Sequence, residues 1–226
     1  MTKIEEFEAR LIKNGMSEAD FDAYETLLKR VRSNYHRRQH CYMTAARFPK
    51  KRADQAVALI RWGLARYPDD WFTTYTSYAF IGHIYEKDAR YEQACEAFSQ
   101  AYAALGEEQL TYRRHLAGDL MWMRLHVDRF RYSEQLEGFY TQFNALDDFS
   151  KSFADSAFRL AVARLVIALH AGNTDEAGEA YRKALAISSP GFVSRVQSVL
   201  DRHGATDRLT KNTPECTAFL KTLRLG

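Results

Sequence analysis

The sequence predicts an all-α protein: an α-solenoid of about four irregular helix pairs, preceded by a long N-terminal helix and followed by a C-terminal capping helix. Its composition supports this fold class, because 11 Gly and 4 Pro among 226 residues are too few for long irregular loops. A hydrophobic fraction of 46% is enough to form a substantial core. We therefore expect one domain over 1–226, with N-terminal helices at 3–48, repeats over about 37–190 and the cap at 191–226.

A motif that recurs four times is the second observation behind this fold class. Each copy has an acidic residue, a small or apolar residue two positions later, and further small or apolar residues four and seven positions beyond that one. An acidic residue in the first turn of a helix is stabilised by the helix dipole, and the apolar spacing defines one buried face. The four copies begin at Asp54, Glu92, Glu134 and Asp175. They predict the second helix of each pair, and the first helices are expected at roughly 37–48, 71–87, 111–129 and 152–171.

Two helices are expected before the first copy of the motif. Apolar residues have helical spacing over 3–13, and Gly15 is suited to a C-terminal cap. The stretch 18–48 contains neither Gly nor Pro, so a single helix of about 45 Å is expected there. It would begin after Ser17 and end before Pro49, because proline disfavours helical geometry in the residue that precedes it.

The stretch from Tyr78 to Ala101 has the most specific pattern in the chain. It reads Tyr78-x2-Ile81-Gly82-x2-Tyr85 and then Ala94-x3-Phe98-x2-Ala101. This pattern resembles the tetratricopeptide repeat, in which a bulky aromatic residue, Leu-Gly and Tyr lie on a first helix, and Ala, Phe and Ala on a second. Gly82 and Ala94 have almost no side chain, so we expect two antiparallel helices to approach closely at these positions.

The copies depart from the family in two ways. The equivalent positions Ala56, Ala94, Leu136 and Ala177 are 38, 42 and 41 residues apart, whereas the family repeats about every 34 residues. Gly106 stands where the family usually has proline, and glycine also ends helices. The sequence therefore predicts irregular repeats with longer first helices.

The resemblance implies a function in binding a partner protein or peptide, as an adaptor, a regulator or a toxin-neutralising partner. In the family, first-helix residues that face away from the second helices line a binding groove. Carried over by register, the groove residues are Arg38, Tyr42, Thr76, Phe80, His83, Met121, Trp122 and Leu125. The family's clamp for C-terminal carboxylates uses Lys, Asn and Arg at such positions. Here Cys41, Ala45, Ala79 and Gly118 stand at several of them, which disfavours a role as a chaperone co-factor.

Residues 26–53 form a basic segment with nine Lys or Arg and no Asp or Glu. The nine cations are Lys29, Arg30, Arg32, Arg37, Arg38, Arg47, Lys50, Lys51 and Arg52. One interpretation is a surface for an acidic partner, including nucleic acid, because Tyr35 and Tyr42 could stack on bases between the cations. The other is compensation of the helix dipole, because acids occupy the beginning of the expected 18–48 helix and bases its end. The sequence leaves both interpretations open.

A metal site is disfavoured by the same segment. His36 and His40 have the four-residue spacing of two metal ligands on one helix face. However, no Glu follows His36 and no third ligand is in view. We therefore expect neither a metal nor another cofactor.

Catalysis is not expected, although one resemblance points towards it. The pairs Arg30-x5-His36 and Arg164-x5-His170 resemble the Arg-His spacing of a helical ribonuclease family found in many toxins. A pattern of two residues arises readily by chance, so nucleic-acid binding or ribonuclease-like use of the basic segment is the alternative function. No Ser-His-Asp order, Gly-rich phosphate loop or paired carboxylate motif accompanies it.

Cysteine usage and hydropathy predict a cytoplasmic protein. The three cysteines are odd in number and lack C-x2-C spacing, which indicates free thiols in a reducing compartment. The N-terminal region has Glu5, Glu6 and Glu8 where a secretory signal would need an apolar run. No apolar stretch is long enough to cross a membrane, so we expect no membrane partner.

Overall fold

The computed structural model describes residues 2–68, 71–129, 131–144 and 154–187. These residues form α-helices, one short 3-10 turn and their connections, and no strand occurs among them. Within the same ranges, no helix combines the length and the apolar character needed to span a bilayer. The chain divides into two compact units, Met1–Gly106 and Glu107–Gly226. The single domain over 1–226 stays a prediction.

The first unit contains six α-helices within its described residues. They are α1 (Lys3–Asn14), α2 (Glu18–Leu28), α3 (Asn34–Ala46), α4 (Ala53–Arg66), α5 (Trp71–Lys87) and α6 (Tyr91–Ala103). A 3-10 turn, Lys50–Arg52, precedes α4. Helix α3 packs against α4 and helix α5 against α6, as the first and second helices of two pairs.

Helix α1 begins and ends at the residues that the sequence indicates. The Thr2 side chain accepts a hydrogen bond from the Glu5 backbone N–H, and the Glu5 carboxylate accepts one from the Thr2 N–H. This reciprocal cap satisfies two donors that the first helical turn leaves unpaired. Gly15 ends the helix with a φ of 92°, a left-handed conformation that glycine adopts at little cost.

The prediction of one continuous helix over 18–48 is wrong. Helix α2 ends at Leu28, and α3 begins at Asn34. Ser33 has extended backbone angles (φ −133°, ψ 159°), and its hydroxyl oxygen caps the first turn of α3. The Arg37 guanidinium stabilises the break, because its Nε donates to the carbonyl oxygen of Leu28 at 3.1 Å. A serine cap and a cation on freed carbonyls thus end a helix without any Gly or Pro.

The close approach of α5 and α6 confirms the predicted role of Gly82. A Cβ atom built on Gly82 would lie 2.7 Å from two atoms of the Phe98 ring, closer than real Cβ atoms come to any neighbour. Ala94 and Phe98 are fully buried. Any side chain at position 82 would therefore require the ring to move.

A second close approach joins α3 to α4, but here the glycine lies on the second helix. A Cβ atom built on Gly63 would lie 3.0 Å from the Cβ and Sγ atoms of Cys41. Burial raises the pKa of the Cys41 thiol to about 12, so the thiol stays protonated at neutral pH. Cys41 and Cys95 are both free thiols, and Cys216 lies outside the described residues.

The second unit contains two further helix pairs within its described residues. Its helices are α7 (Leu110–Val127), α8 (Glu134–Asn144), α9 (Ala154–His170) and α10 (Thr174–Ile187). The α9–α10 pair closes over a buried apolar cluster that consists of Leu165, Ala168, Ala177 and Ala180. The predicted all-α fold with its helix pairs is confirmed, and the predicted cap at 191–226 lies outside the described residues.

Candidate partner-binding site

A cavity of about 160 Å³ opens between α3 and α5 in the first unit. Its walls are Tyr35, Arg38, Gln39, Tyr42, Met43, Phe72, Thr73, Thr76 and Ser77. This cavity and its rim are called the α3–α5 site below. Three of the predicted groove residues, Arg38, Tyr42 and Thr76, line it. Both helices are first helices of their pairs, which is where the repeat register places the groove.

Arg38 fixes the spacing between the two walls of the α3–α5 site. Its Nη1 donates to Thr73 Oγ1 at 2.7 Å, and its Nη2 donates to Thr74 Oγ1 at 3.0 Å. The residue is only 5% exposed. A buried guanidinium needs such hydrogen bonds because they replace the ones that it would make to water. Arg38 therefore belongs to the wall of the site and does not extend from the surface as a free cation.

Two further predicted groove residues, Phe80 and His83, lie on α5 and are half-buried. The Phe80 ring contacts Tyr42 of α3, with centroids 5.0 Å apart. The His83 ring meets the edge of Phe98 at the same centroid distance, and its Nδ1 lies 3.1 Å from Glu86 Oε2. These contacts order the walls of the site on both helices before any partner binds.

Large apolar side chains surround the opening of the cavity and remain exposed. Tyr35 and Phe72 are each 37% exposed, Met43 is 53% exposed, and Trp71 lies beside Phe72. The sequence prediction of the groove missed these four residues. The four-residue spacing from Tyr35 to Met43 is the signal that could have indicated the α3 side of the rim.

In the second unit the predicted groove residues are not equally accessible. Met121 and Leu125 are 0% exposed, so the prediction that they face a partner is wrong. The reason is that six consecutive residues, 116–121, are buried, which is more than one helical turn and covers α7 on all sides. Trp122 is half-buried, with the Arg159 guanidinium carbon 5.8 Å from its ring centroid.

Three cations of the basic segment bind the carbonyl ends of other helices. Arg52 donates to Ile12 O at 2.6 Å at the end of α1, and Lys50 donates to Lys87 O at 3.1 Å at the end of α5. Arg37 does the same at the end of α2. Cations in these positions satisfy carbonyls that lack helical partners and interact favourably with the helix dipole.

The remaining cations of the segment are exposed at the two ends of α3. They are Lys29, Arg30 and Arg32 before the helix and Arg47 and Lys51 after it. The 13 residues of α3 separate these two groups by about 20 Å. The nine cations therefore do not form one continuous basic surface.

His36, Arg164 and His170 each have a partner outside the Arg-His pairs. His36 Nδ1 lies 2.7 Å from Ser33 Oγ. Arg164 donates to Glu176 at 3.0 Å, while His170 stacks on Tyr132 with centroids 3.9 Å apart. Across the part of the chain that the structure describes, no group of three or more His, Cys, Asp or Glu side chains could hold a metal ion.

A polar network involving His40 holds α1 against α2 and α3. Tyr24 Oη donates to Glu8 Oε1 at 2.6 Å, and His40 Nδ1 lies 2.8 Å from the same oxygen. Tyr24 Oη is also 3.3 Å from Thr44 Oγ1. Burial acts to raise the pKa of Glu8, but hydrogen bonds from His40 and Tyr24 outweigh it and leave that pKa below 4.5. The hydrogen bond to Glu8 raises the pKa of His40 above 6.5.

We expect the Glu8–His40 pair to stabilise the protein most between pH 4.5 and 6.5. Because folding raises the pKa of His40, its contribution is complete below pH 6.5 and is lost as pH rises through the raised value. Because folding lowers the pKa of Glu8, its contribution is complete above pH 4.5 and is lost as pH falls through the lowered value.

His40→Gln tests this pH dependence. The variant should lose about 1 kcal/mol of unfolding free energy within that window and less at about pH 8. Thermal melting of both proteins across the pH range provides the measurement. A difference between them that does not change with pH would contradict the assigned pair.

Comparison with known protein families identifies the repeat. The family model of the tetratricopeptide repeat matches residues 75–104, which contain most of α5, the turn after it and all of α6. No curated protein and no solved structure matches the chain significantly. Tetratricopeptide repeats generally mediate protein–protein interactions and are typically non-catalytic scaffolds. With the Gly82–Phe98 contact and the helix pairs, this match shows that the chain is a tetratricopeptide-repeat-like helical repeat protein.

Proposed function

We propose that the protein is an interaction module, of the adaptor, regulator or toxin-neutralising type, that holds a segment of a partner protein at the α3–α5 site. The observation that carries this proposal is that Tyr35, Met43 and Phe72 are exposed around a cavity, with Trp71 beside Phe72. Aromatic residues and Met are enriched at protein interfaces, and aromatic rings bury a large area at low entropic cost. A cytoplasmic location is part of the proposal and is supported by the free thiols.

The walls of the α3–α5 site are held in place by contacts within the protein. Arg38 ties α3 to α5, and the Tyr42–Phe80 contact closes the wall below the rim. Walls that are ordered before binding reduce the entropy lost on association. On binding, only the segment of the partner then loses conformational entropy, so a small contact surface can be sufficient for binding.

The use of the basic segment disfavours the nucleic-acid alternative. The affinity of a protein for a nucleic-acid backbone rises with the number of phosphates that its cations neutralise, which favours cations that lie along one continuous surface. Here Arg37, Lys50 and Arg52 bind helix carbonyls, and the exposed cations stand at opposite ends of α3. The partner we propose is therefore a protein or peptide.

A pair of charge insertions tests the proposed site. Phe72→Glu places a carboxylate on the rim, whereas Tyr112→Glu places one at an equally exposed aromatic residue of the second unit, since both are 37% exposed. We expect Phe72→Glu to weaken binding of a partner captured by the wild-type protein about thirtyfold, the effect of losing one interface anchor.

The control variant, Tyr112→Glu, should retain that partner. Circular dichroism of both variants verifies that their helices remain folded. Equal retention of the partner by Phe72→Glu and the wild type would place the binding surface elsewhere.

A further inference from the structure

We infer that the segment held at the α3–α5 site is an acidic linear peptide. It inserts one side chain of phenylalanine or leucine size into the cavity and places a carboxylate near Arg47. This inference rests on the proposed function, because it specifies the chemistry of the partner at the same site. The size of the cavity, the bonding of its polar walls and the charges around it carry the inference.

The size of the cavity selects a single large apolar side chain. Its volume is about 160 Å³, and a cavity of about 150 Å³ inside a protein holds one benzene molecule. Tyr35, Tyr42, Met43 and Phe72 supply apolar contact surface around this volume. One aromatic ring or one branched aliphatic side chain therefore fills the space, and two do not fit.

Two threonine hydroxyls in the walls already have partners inside the protein. Thr76 Oγ1 donates to the carbonyl oxygen of Phe72 at 2.9 Å, and Thr73 Oγ1 accepts from Arg38 at 2.7 Å. A polar side chain entering the cavity would lose its water without full replacement, which is unfavourable. An apolar side chain loses no hydrogen bond on entering, so the walls favour an apolar anchor.

The charges around the cavity favour carboxylates on the peptide. One exposed stripe of α3 has residues at four-residue spacing, Tyr35, Gln39, Met43 and Arg47. Neither 26–53 nor 71–85 contains an acidic residue. A carboxylate that approaches along this stripe reaches Arg47, which is exposed. The acids at the C-terminal end of α5, Glu86 and Asp88, each already have a basic partner, because Glu86 lies 3.1 Å from His83 and Asp88 lies 3.6 Å from Lys50.

The direction of the helices places the carboxylate at one end of the site. Arg38 contacts Thr73 and Tyr42 contacts Phe80, so α3 and α5 run in the same direction. Arg47 follows the end of α3 and therefore lies towards the C-terminal end of α5. The acidic side of the peptide accordingly points towards the C-terminal ends of both helices.

The spacing between anchor and carboxylate follows from backbone geometry. Arg47 lies four residues beyond Met43, about 6 Å along the helix axis. An extended peptide advances about 3.3 Å per residue. We therefore expect the acidic residue two or three positions from the apolar anchor.

Selection from a random peptide library displayed on phage, with the full chain as target, tests this inference. Enriched peptides should share a Phe- or Leu-sized residue with Asp or Glu two or three positions away. Fluorescence anisotropy of the most enriched synthetic peptide should then show about thirtyfold weaker binding when its anchor is replaced by Ala.

Variants of the protein separate the inference from the proposed function. Arg47→Glu should weaken binding of that peptide about fivefold, because reversing an exposed charge replaces attraction by repulsion. Lys183→Glu changes the net charge equally at an exposed position of the second unit and should leave binding unchanged.

The two possible failures give different results. Peptides that lose binding to Phe72→Glu but carry basic or no charge overturn the inference and leave the site in place. Peptides unaffected by Phe72→Glu, or no enriched peptide at all, overturn the proposed site as well.

Discussion

Arg159→Met is expected to lower the free energy of unfolding by about 3 to 5 kcal/mol, the largest single effect that the structure predicts. Arg159 of α9 donates to the carboxylate of Asp119 on α7, and Asp119 is almost fully buried. Methionine keeps the apolar stem but removes the charge, so the carboxylate would be left buried without compensation. Thermal and urea unfolding of the variant give the measurement.

Arg164→Met is the matched control on the same helix. Arg164 pairs with Glu176 at 3.0 Å, but both side chains are partly exposed to water. Partly exposed ion pairs contribute about 1 kcal/mol or less. Similar losses for Arg159→Met and Arg164→Met would show that the Asp119 carboxylate does not depend on its cation.

The second large effect is expected at Gly82. Alanine in place of glycine inside a helix usually stabilises it by about 0.5 to 1 kcal/mol. At Gly82 the new Cβ would lie 2.7 Å from the Phe98 ring, so Gly82→Ala should destabilise instead. Gly82→Leu should cost about 1 to 3 kcal/mol or more through overpacking. The melting temperature should therefore fall in the order wild type, Gly82→Ala, Gly82→Leu.

Gly138→Ala provides the matched comparison, because a Cβ at Gly138 of α8 has no neighbour within 4 Å. It should raise the melting temperature, as the helix propensity of alanine predicts. Gly82→Leu should also be less harmful in a Phe98→Leu background, which removes part of the ring. Destabilisation by both alanine variants, or additive effects at 82 and 98, would contradict the proposed contact.

Local spacing was sufficient to predict the helix pairs. The acid at the start of a second helix, followed by small and aromatic residues, placed Glu92 and Glu134 within one residue of the observed starts of α6 and α8. Such patterns involve neighbours on one helix, so a sequence displays them directly. The close approach at Gly82 was predicted for the same reason, because small residues at fixed spacing allow close packing.

Features that no Gly, Pro or apolar spacing marks were not predictable in this way. The break after Leu28 uses the Ser33 cap and Arg37, and neither Gly nor Pro marks it. Arg52 binds the end of α1 some 40 residues earlier in the chain, which no local pattern reveals. Composition alone therefore suggested a continuous helix, and it left open whether the cations form a binding surface or compensate the helix dipole.

The residues of the α3–α5 site were likewise predicted only in part. Register placed Arg38 and Tyr42 at the cavity, because groove positions follow from the repeat. Burial of Met121 and exposure of Phe72 depend on how neighbouring helices cover each side chain, which register does not specify. The exposed rim was therefore found only from the structure.

The two glycine contacts limit how this repeat array can evolve. In one pair the glycine belongs to the first helix and meets Phe98, and in the other it belongs to the second helix and meets Cys41. Helix α3 contains no glycine, so α6 placed against it would bring the Phe98 ring onto a side chain. Exchange of a single helix between these two pairs would therefore create a mismatch, whereas exchange of a whole pair would keep each glycine with its partner.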